Sequence, residues 1–214
     1  MSVQLLTSSL AILLQGLVTT VLLSVAAIAG GTLVGLVAAV LRSFGPWGTS
    51  RVAKVYIELF RGTPVLITLM FIYFGVSYFG YAIDVFAAGA IGLSIYQGAY
   101  IAEIFRSGIE AVPKGQWEVS QILGLSRPQT FAFVVLPQTG KIVLPPLVGQ
   151  YLSLIKDTSI VSMIGMSELM HGGQAIVDRI GRPVEIYGLV ALIYFVVCFP
   201  VSQWVRHHDR RRLS

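Results

Sequence analysis

The sequence predicts an all-α integral membrane protein, and three observations carry that expectation. Of 214 residues, 55% are hydrophobic and only 12% are charged. The mean hydropathy is +0.79, more apolar surface than a water-soluble core of this size absorbs, so lipid is the natural solvent. The apolar residues also gather into runs of membrane-crossing length, separated by intervals that hold most of the cations.

Met1 to Leu41 contains no charged residue, and its run from Leu10 to Leu41 exceeds the roughly 20 residues a helix needs to cross a bilayer. It lacks the basic n-region of a cleavable signal, so it is expected to be retained as the first span. Gly30, Gly31 and Gly35 in its second half would allow a neighbouring helix to approach closely. Arg42, Arg51, Lys54 and Arg61 mark the next interval, where Glu58 and Arg61 are spaced to pair. Thr63-Pro64 then offers an N-cap and a first-turn proline for a second span from Val65 to Phe79. Val85 to Phe105 is the third span.

The longest polar interval, Glu103 to Pro137, follows. Pro113 suits a first helical turn, Lys114 to Leu123 mixes Trp117, Val119 and Ile122 with polar residues, and Gly124 is the residue type that ends helices in a left-handed conformation. After that turn, Ser126 and Gln129 have capping-box spacing with Pro128 in the first turn, so a second short helix should begin there and stop near Pro137. The fourth apolar run, Ile142 to Ile155, contains Pro145-Pro146 and Gly149 and is expected to break or bend. The mixed region from Lys156 to Pro183 is too polar to span by itself, and its first part is expected to re-enter the protein. Tyr187 to Trp204 is the fifth span, and a basic tail closes the chain.

Positively charged loops stay cytoplasmic. With the N-terminus outside, the cytoplasmic set is Arg42, Arg51, Lys54, Arg61, Arg106, Lys114, Arg127, Lys141, Arg206, Arg210, Arg211 and Arg212, which is 12 of the 15 basic residues. The expected arrangement is therefore multi-pass, N-out and C-in, with the net charge of +5 fitting anionic inner-leaflet lipid rather than nucleic acid.

Several chemistries are excluded by motif. The Gly140-Lys141 pair has Val135 where a phosphate-binding loop needs glycine, and Ile142 where it needs Ser or Thr. No Ser/His/Asp set, HExxH or catalytic carboxylate pair can be assembled, so no catalytic residue is assigned. Cys198 is the one cysteine, and His171, His207 and His208 lack metal-ligand spacing, so no metal site is expected. Transport, conduction or scaffolding remain.

For a transport path, the acids are the informative residues, because an ionisable group in or beside a span is costly unless it faces a cavity or partner. Glu103 lies in the third run and Asp157 at the outer end of the fourth. Gln97, Tyr100 and Glu103 stand at three-residue steps along one helix face, with Arg106 one step further. The bland alternatives are a Glu103–Arg106 ion pair, and for Asp157 a pairing with Lys156 or a cap on a helix beginning at Thr158. Thr158 and Ser159 would add hydroxyls, and backbone N–H groups, for a substrate carboxylate.

Glu118-Val119-Ser120, three residues, Gly124, nine residues, then Val134-Val135-Leu136-Pro137 resembles the EAA loop of bacterial ABC importer permeases, whose pattern is Glu-Ala-Ala, three residues, Gly, nine residues, Ile, one residue, Leu-Pro. Val119 and Ser120 replace the alanines and Val134 the isoleucine. YIELFRGTPVLI (Tyr56 to Ile67), Gly98 to Glu118 and Leu154 to Gly165 resemble the permeases for polar amino acids of the histidine, glutamine and arginine type. The resemblance runs from about Ala11 to Trp204.

That resemblance implies a five-helix importer core of the type I fold in the bacterial inner membrane, forming one domain over residues 1–214 with a cytoplasmic coupling loop at about 106–140. Glu118, Val119, Ser120, Gly124, Leu136 and Pro137 would dock on an ATPase. It further implies a second permease subunit, identical or related, a pair of cytoplasmic ATP-binding subunits that hold ATP and Mg, an extracytoplasmic solute-binding protein, and a polar amino acid substrate. The chain would hold no cofactor and perform no hydrolysis. The competing classes are an ion-coupled secondary transporter and a membrane scaffold or channel subunit; no internal repeat of the kind secondary transporters carry is present.

Overall fold

The computed structural model describes residues 3–213, with side chains described for residues 9–203. The regular elements of the described residues are all helical. They run α1 (Val3–Phe44), α2 (Trp47–Gly62), α3 (Val65–Tyr78), α4 (Val85–Glu110), α5 (Lys114–Ile122), α6 (Arg127–Thr130), a π turn (Phe131–Val135), α7 (Leu136–Asp157), a 3₁₀ stretch (Thr158–Ile164), α8 (Leu169–Ile180) and α9 (Pro183–Leu213). The tail cations Arg206, Arg210, Arg211 and Arg212, with His207 and His208, lie outside the described side chains.

Among the described residues four helices are long and apolar enough to cross a membrane: α1 from Ser9, α4, the continuous Arg127–Ile164 stretch, and α9 as far as Gln203. The α2–α3 pair, bent by 108°, makes a fifth crossing if counted as one span. α3 has 14 residues, about 21 Å, short of the roughly 30 Å hydrocarbon core. α3 is therefore a short helix entered through a sharp bend, and not the simple full-length span that its apolar run suggests.

α1 and α4 form the spine, and the glycines of the first run set their separation. A Cβ on Gly30 would meet Ser94 Oγ at 2.4 Å, and one on Gly35 would meet Ile101 Cγ2 at 2.6 Å and the Gly98 carbonyl oxygen at 2.9 Å. In lipid, close backbone approach of this kind supplies the dispersion contact that the hydrophobic effect cannot. The expected interface is therefore present along this seam. Beside it, Leu23, Leu69, Leu93, Leu154 and Val161 are buried together where α1, α3, α4, α7 and the 3₁₀ stretch converge.

Two proline expectations are corrected. The helix starting after Ser126 does not stop at Pro137: it passes through a π turn at Phe131–Val135 and continues as α7. A proline removes one ladder bond and crowds the carbonyl four residues back, here Phe133, and the wider π turn sits on that residue. Pro145 and Pro146 lie inside α7 without interrupting it. The change of winding comes instead at Thr158, where the α-helix tightens to 3₁₀ before Gly165 ends it at φ +90°. The region to Pro183 does turn back on the protein, because α8 packs Leu169 and Ile176 against Leu13 of α1 and Val190 of α9.

Candidate coupling surface and polar seam

α5 is built by its two ends. Pro113 precedes it, and after Leu123 the chain turns at Gly124 with φ +81°. The Leu125 N–H reaches the Ser120 carbonyl and the Gly124 N–H the Gln121 carbonyl, both at 3.0 Å, which satisfies the last carbonyls of the helix as a Schellman turn. The next helix opens with the expected capping box between Ser126 and Gln129, whose Oε1 accepts from the Ser126 N–H at 2.9 Å and from its hydroxyl at 2.8 Å.

The faces of α5 separate the expected coupling residues. Ser120 is buried, and its hydroxyl donates to the Gln116 carbonyl at 2.6 Å, while Trp117 lines a cavity with Val40, Phe44, Arg127 and Phe131. Outward, Val119, Ile122 and Leu123 share one face at helical spacing, and the last two are 83% and 75% exposed. Glu118 stands exposed without an ion pair or hydrogen bond among the described residues, and Leu136 and Pro137 are exposed on the adjoining helix. Ile122 and Leu123 thus extend the surface beyond the six residues that the spacing marks. Only their positions relative to Val119 on the helix could have revealed them.

A second polar feature runs along α4. Gln97 is 1% exposed and exchanges amide bonds with α7: its Nε2 donates to the Gln150 carbonyl at 2.8 Å, and Gln150 Nε2 donates to its Oε1 at 3.0 Å. The Tyr96 and Tyr100 hydroxyls are 3.1 Å apart. Tyr100 also lies under the Arg61 guanidinium, 5.7 Å from ring centroid to Cζ. Glu103 is clasped by Arg106, Nε to Oε2 at 2.8 Å and Nη2 to Oε1 at 2.7 Å, with Arg61 Nη1 at 3.6 Å. Arg106 continues to Glu110. A cavity of about 280 Å³ at this end is lined by Arg42, Lys54, Glu58, Arg61, Glu103 and Arg106.

The expected single face of Gln97, Tyr100 and Glu103 is only partly kept. Three-residue steps fall short of a full turn by about 60° each, so Gln97 addresses α7 while Tyr100 and Glu103 address α2. The expected Glu58–Arg61 pair is replaced by Lys54–Glu58 at 3.5 Å and Arg61–Glu103, because Arg61 turns toward the more buried carboxylate.

Asp157 is half-buried and within electrostatic reach of Tyr96. Among the described residues it makes no ion pair and no side-chain hydrogen bond, so neither of its bland alternatives is realised. The helix expected to begin at Thr158 does not begin there. The winding is continuous, the Thr158 N–H is bonded to the Leu154 carbonyl, and the Thr158 and Ser159 hydroxyls return to the Ile155 and Lys156 carbonyls at 2.7 Å. Free N–H groups of a helix start are therefore not available at that point.

Sequence reasoning passed over Gln150, Tyr96 and Glu168. The first two were visible as polar residues inside apolar runs. Glu168 is fully buried between the crossing helices, where it accepts from the Met170 and His171 N–H groups at 2.9 and 2.7 Å, from Tyr194 at 3.1 Å and from Thr20 at 3.4 Å. Burial pushes its carboxyl above the ordinary range, against those hydrogen bonds. No group of three or more potential metal ligands occurs among the described residues.

A bent, glycine-seamed helix set with a helix–glycine–helix protrusion at its cationic end describes a transport permease rather than an enzyme. The comparisons identify the class. Residues 31–214 match the family described as binding-protein-dependent transport system inner membrane component, and the chain belongs to that family. The glutamine transport system permease protein GlnP of Escherichia coli (strain K12) is 40% identical over 202 residues, 94% of this chain and 92% of the relative. The arginine ABC transporter permease protein ArtQ of Haemophilus influenzae (strain ATCC 51907 / DSM 11121 / KW20 / Rd) is 38% identical over 164 residues, 73% and 74% of the two chains. A crystal structure of an amino acid ABC transporter with histidines superposes with a TM-score of 0.91 at 36% identity, covering 99% of this chain and 100% of that one. The fold is accordingly the type I importer permease fold, and the reading as an importer subunit displaces the secondary transporter and the scaffold.

Proposed function

We propose that this chain forms, with a second permease subunit, the path of an ATP-driven importer for a polar amino acid in the inner membrane. Relatives of near-equal identity carry glutamine and arginine in their names, which favours a neutral or basic substrate over an acidic one without choosing between them. The observation that carries the coupling half of the reading is α5: an outward apolar face of Val119, Ile122 and Leu123 ends at a left-handed Gly124, with Glu118 unpaired beside it. Such a knob suits a groove on a cytoplasmic ATP-binding subunit, and a pair of those subunits would hold ATP and Mg. Leu136 and Pro137 would flank the contact, and Ser120 would hold the helix in shape from within.

For the substrate, Asp157 is the leading group, since an unpaired, half-buried carboxylate is available to an ammonium. Tyr100, with Tyr96, would continue the path toward Glu103, whose arginines give that end mixed charge. Gln97, Thr158 and Ser159 would position these groups through their helix contacts. An extracytoplasmic solute-binding protein would deliver the substrate to the Asp157 end. The N-out, C-in arrangement is supported by the placement of 12 of 15 cations. The chain would act as one domain, with 106–140 as its cytoplasmic loop.

The test is copurification with the ATP-binding subunits, followed by ATPase measurement with the solute-binding protein and each of glutamine, histidine, arginine, lysine and glutamate. Stimulation by a neutral or basic member is expected; stimulation by glutamate alone would overturn the substrate reading. A reporter fused after Ser214 should be active only as a cytoplasmic type, and one fused within Tyr78–Ala82 only as an exported type.

A further inference from the structure

α2 presents three faces, and one of them has no occupant among the described residues. Ala53 and Ile57 are buried against the helices below. Arg51, Lys54, Glu58 and Arg61 follow one another at three- and four-residue steps as a charged flank. Val52, Val55 and Leu59 form a separate apolar stripe at the same steps, and they are 71%, 58% and 54% exposed. Trp47 opens the helix, 77% exposed, with the Arg51 Cζ 5.2 Å from its ring centroid.

Position and charge together say what covers this stripe. α2 meets α3 at 108°, so where α3 crosses the bilayer α2 lies near its plane. It touches α4 from Ile95, which accepts the Tyr56 hydroxyl, to Glu103, which pairs with Arg61. At 1.5 Å per residue Glu103 lies about 27 Å from the start of α4, close to the far boundary of a core of roughly 30 Å, while the Tyr56 hydroxyl reaches inward to Ile95 at about 15 Å. The helix carries three cations against one carboxylate. Lys54–Glu58 is an exposed pair at 3.5 Å, which holds its lysine weakly, and Arg51 pairs with no carboxylate among the described residues. An apolar stripe flanked by Arg51 and a weakly held Lys54, with a tryptophan at one end, is the composition of a helix lying in a headgroup layer.

We infer that α2 is an anionic-phospholipid binding element. Val52, Val55 and Leu59 seat among the acyl chains of the cytoplasmic leaflet, Arg51 and Lys54 take the headgroup phosphate, and Trp47 lies at headgroup level. The choice of leaflet rests on the orientation proposed above.

The test uses the full-length chain with Trp117→Phe and Trp204→Phe, which leaves Trp47 as the one tryptophan of three. It is reconstituted in phosphatidylcholine vesicles containing either brominated phosphatidylglycerol or brominated phosphatidylcholine. Brominated phosphatidylglycerol should quench Trp47 preferentially, and raising the salt should weaken that preference. Arg51→Gln and Lys54→Gln should each remove about fivefold of it, the fold-change that about 1 kcal/mol per cation represents. Equal quenching by the two lipids would overturn headgroup recognition. No quenching by either would mean that a second copy or water covers the stripe, which also overturns the inference. Because the vesicles are symmetric and no transport is measured, a wrong orientation shows only in the reporter fusions and leaves the quenching unchanged.

Discussion

Arg106 holds both oxygens of Glu103 while Asp157, at the other end of the polar seam, forms no ion pair and no side-chain hydrogen bond among the described residues. The two acids therefore differ in what they can offer an incoming cation. Glu103→Gln leaves Arg61 and Arg106 without their shared acceptor, so it should lower the melting temperature of the assembled complex and reduce maximal uptake. Asp157→Asn should leave the melt unchanged and raise the half-saturation concentration for a cationic or zwitterionic substrate about tenfold, as expected for one charge-assisted hydrogen bond of about 1.5 kcal/mol. Uptake and ATPase titrations on both variants decide it; unchanged concentration dependence in Asp157→Asn removes it from the path.

The coupling surface predicts a separation of insertion from activity. Nothing lies within 4 Å of a Cβ built on Gly124, but its φ of +81° makes any side chain strained by about 1 kcal/mol. Gly124→Ala should therefore reduce transport modestly, whereas Gly124→Asp, Glu118→Lys or Ile122→Asp should abolish it and weaken retention of the ATP-binding subunit on affinity resin. All four should insert normally, as judged by membrane yield. Full ATPase retention with Ile122→Asp would mean that the outward face of α5 is not the docking surface.

The α1–α4 seam predicts that small residues, not bulk, stabilise the spine. Gly35→Ala places a methyl 2.6 Å from Ile101 Cγ2 and 2.9 Å from the Gly98 carbonyl oxygen. One of these is backbone and cannot yield, so a loss of about 1–3 kcal/mol is expected. Gly62→Ala ends α2 with no atom within 4 Å of its new methyl and should be neutral or slightly stabilising. Thermal unfolding of the two variants in the same detergent gives the comparison.

What the chain alone could convey divides along physical lines. Hydropathy and cation placement located the crossing runs, because membrane insertion reads the same quantities. The α5 helix and its glycine turn were legible for a similar reason: caps are local, and Gly124 needs no distant partner to prefer positive φ. The proline positions misled because a helix can reroute its backbone bonds around a proline, as the π turn does before Pro137, and because a span in lipid keeps its ladder closed, as α7 does through Pro145-Pro146. The partners of Arg61, Gln97 and Glu168 were not legible. Those of Arg61 and Gln97, and Thr20 and Tyr194 for Glu168, lie on other helices, and the choice between Glu58 and Glu103 for Arg61 depends on how α2 crosses α4.

Glu168 yields the last prediction, and its sign follows from burial. Its carboxyl titrates above the ordinary range, so the folded chain holds that proton more tightly than the unfolded chain does. Stability contributed by this group is then lowest at neutral pH and rises as pH falls toward the ordinary carboxylate range. Glu168→Gln removes the titration. It also presents an amide NH₂ where one carboxylate oxygen accepted a backbone N–H, so it should cost about 1–3 kcal/mol by loosening α8 from Thr20 and Tyr194. Melting temperatures of both proteins measured between about pH 5 and pH 8 should show the gap widening in favour of the wild type as pH falls. A gap that stays constant would mean that Glu168 remains ionised across the range, with its four hydrogen bonds outweighing burial.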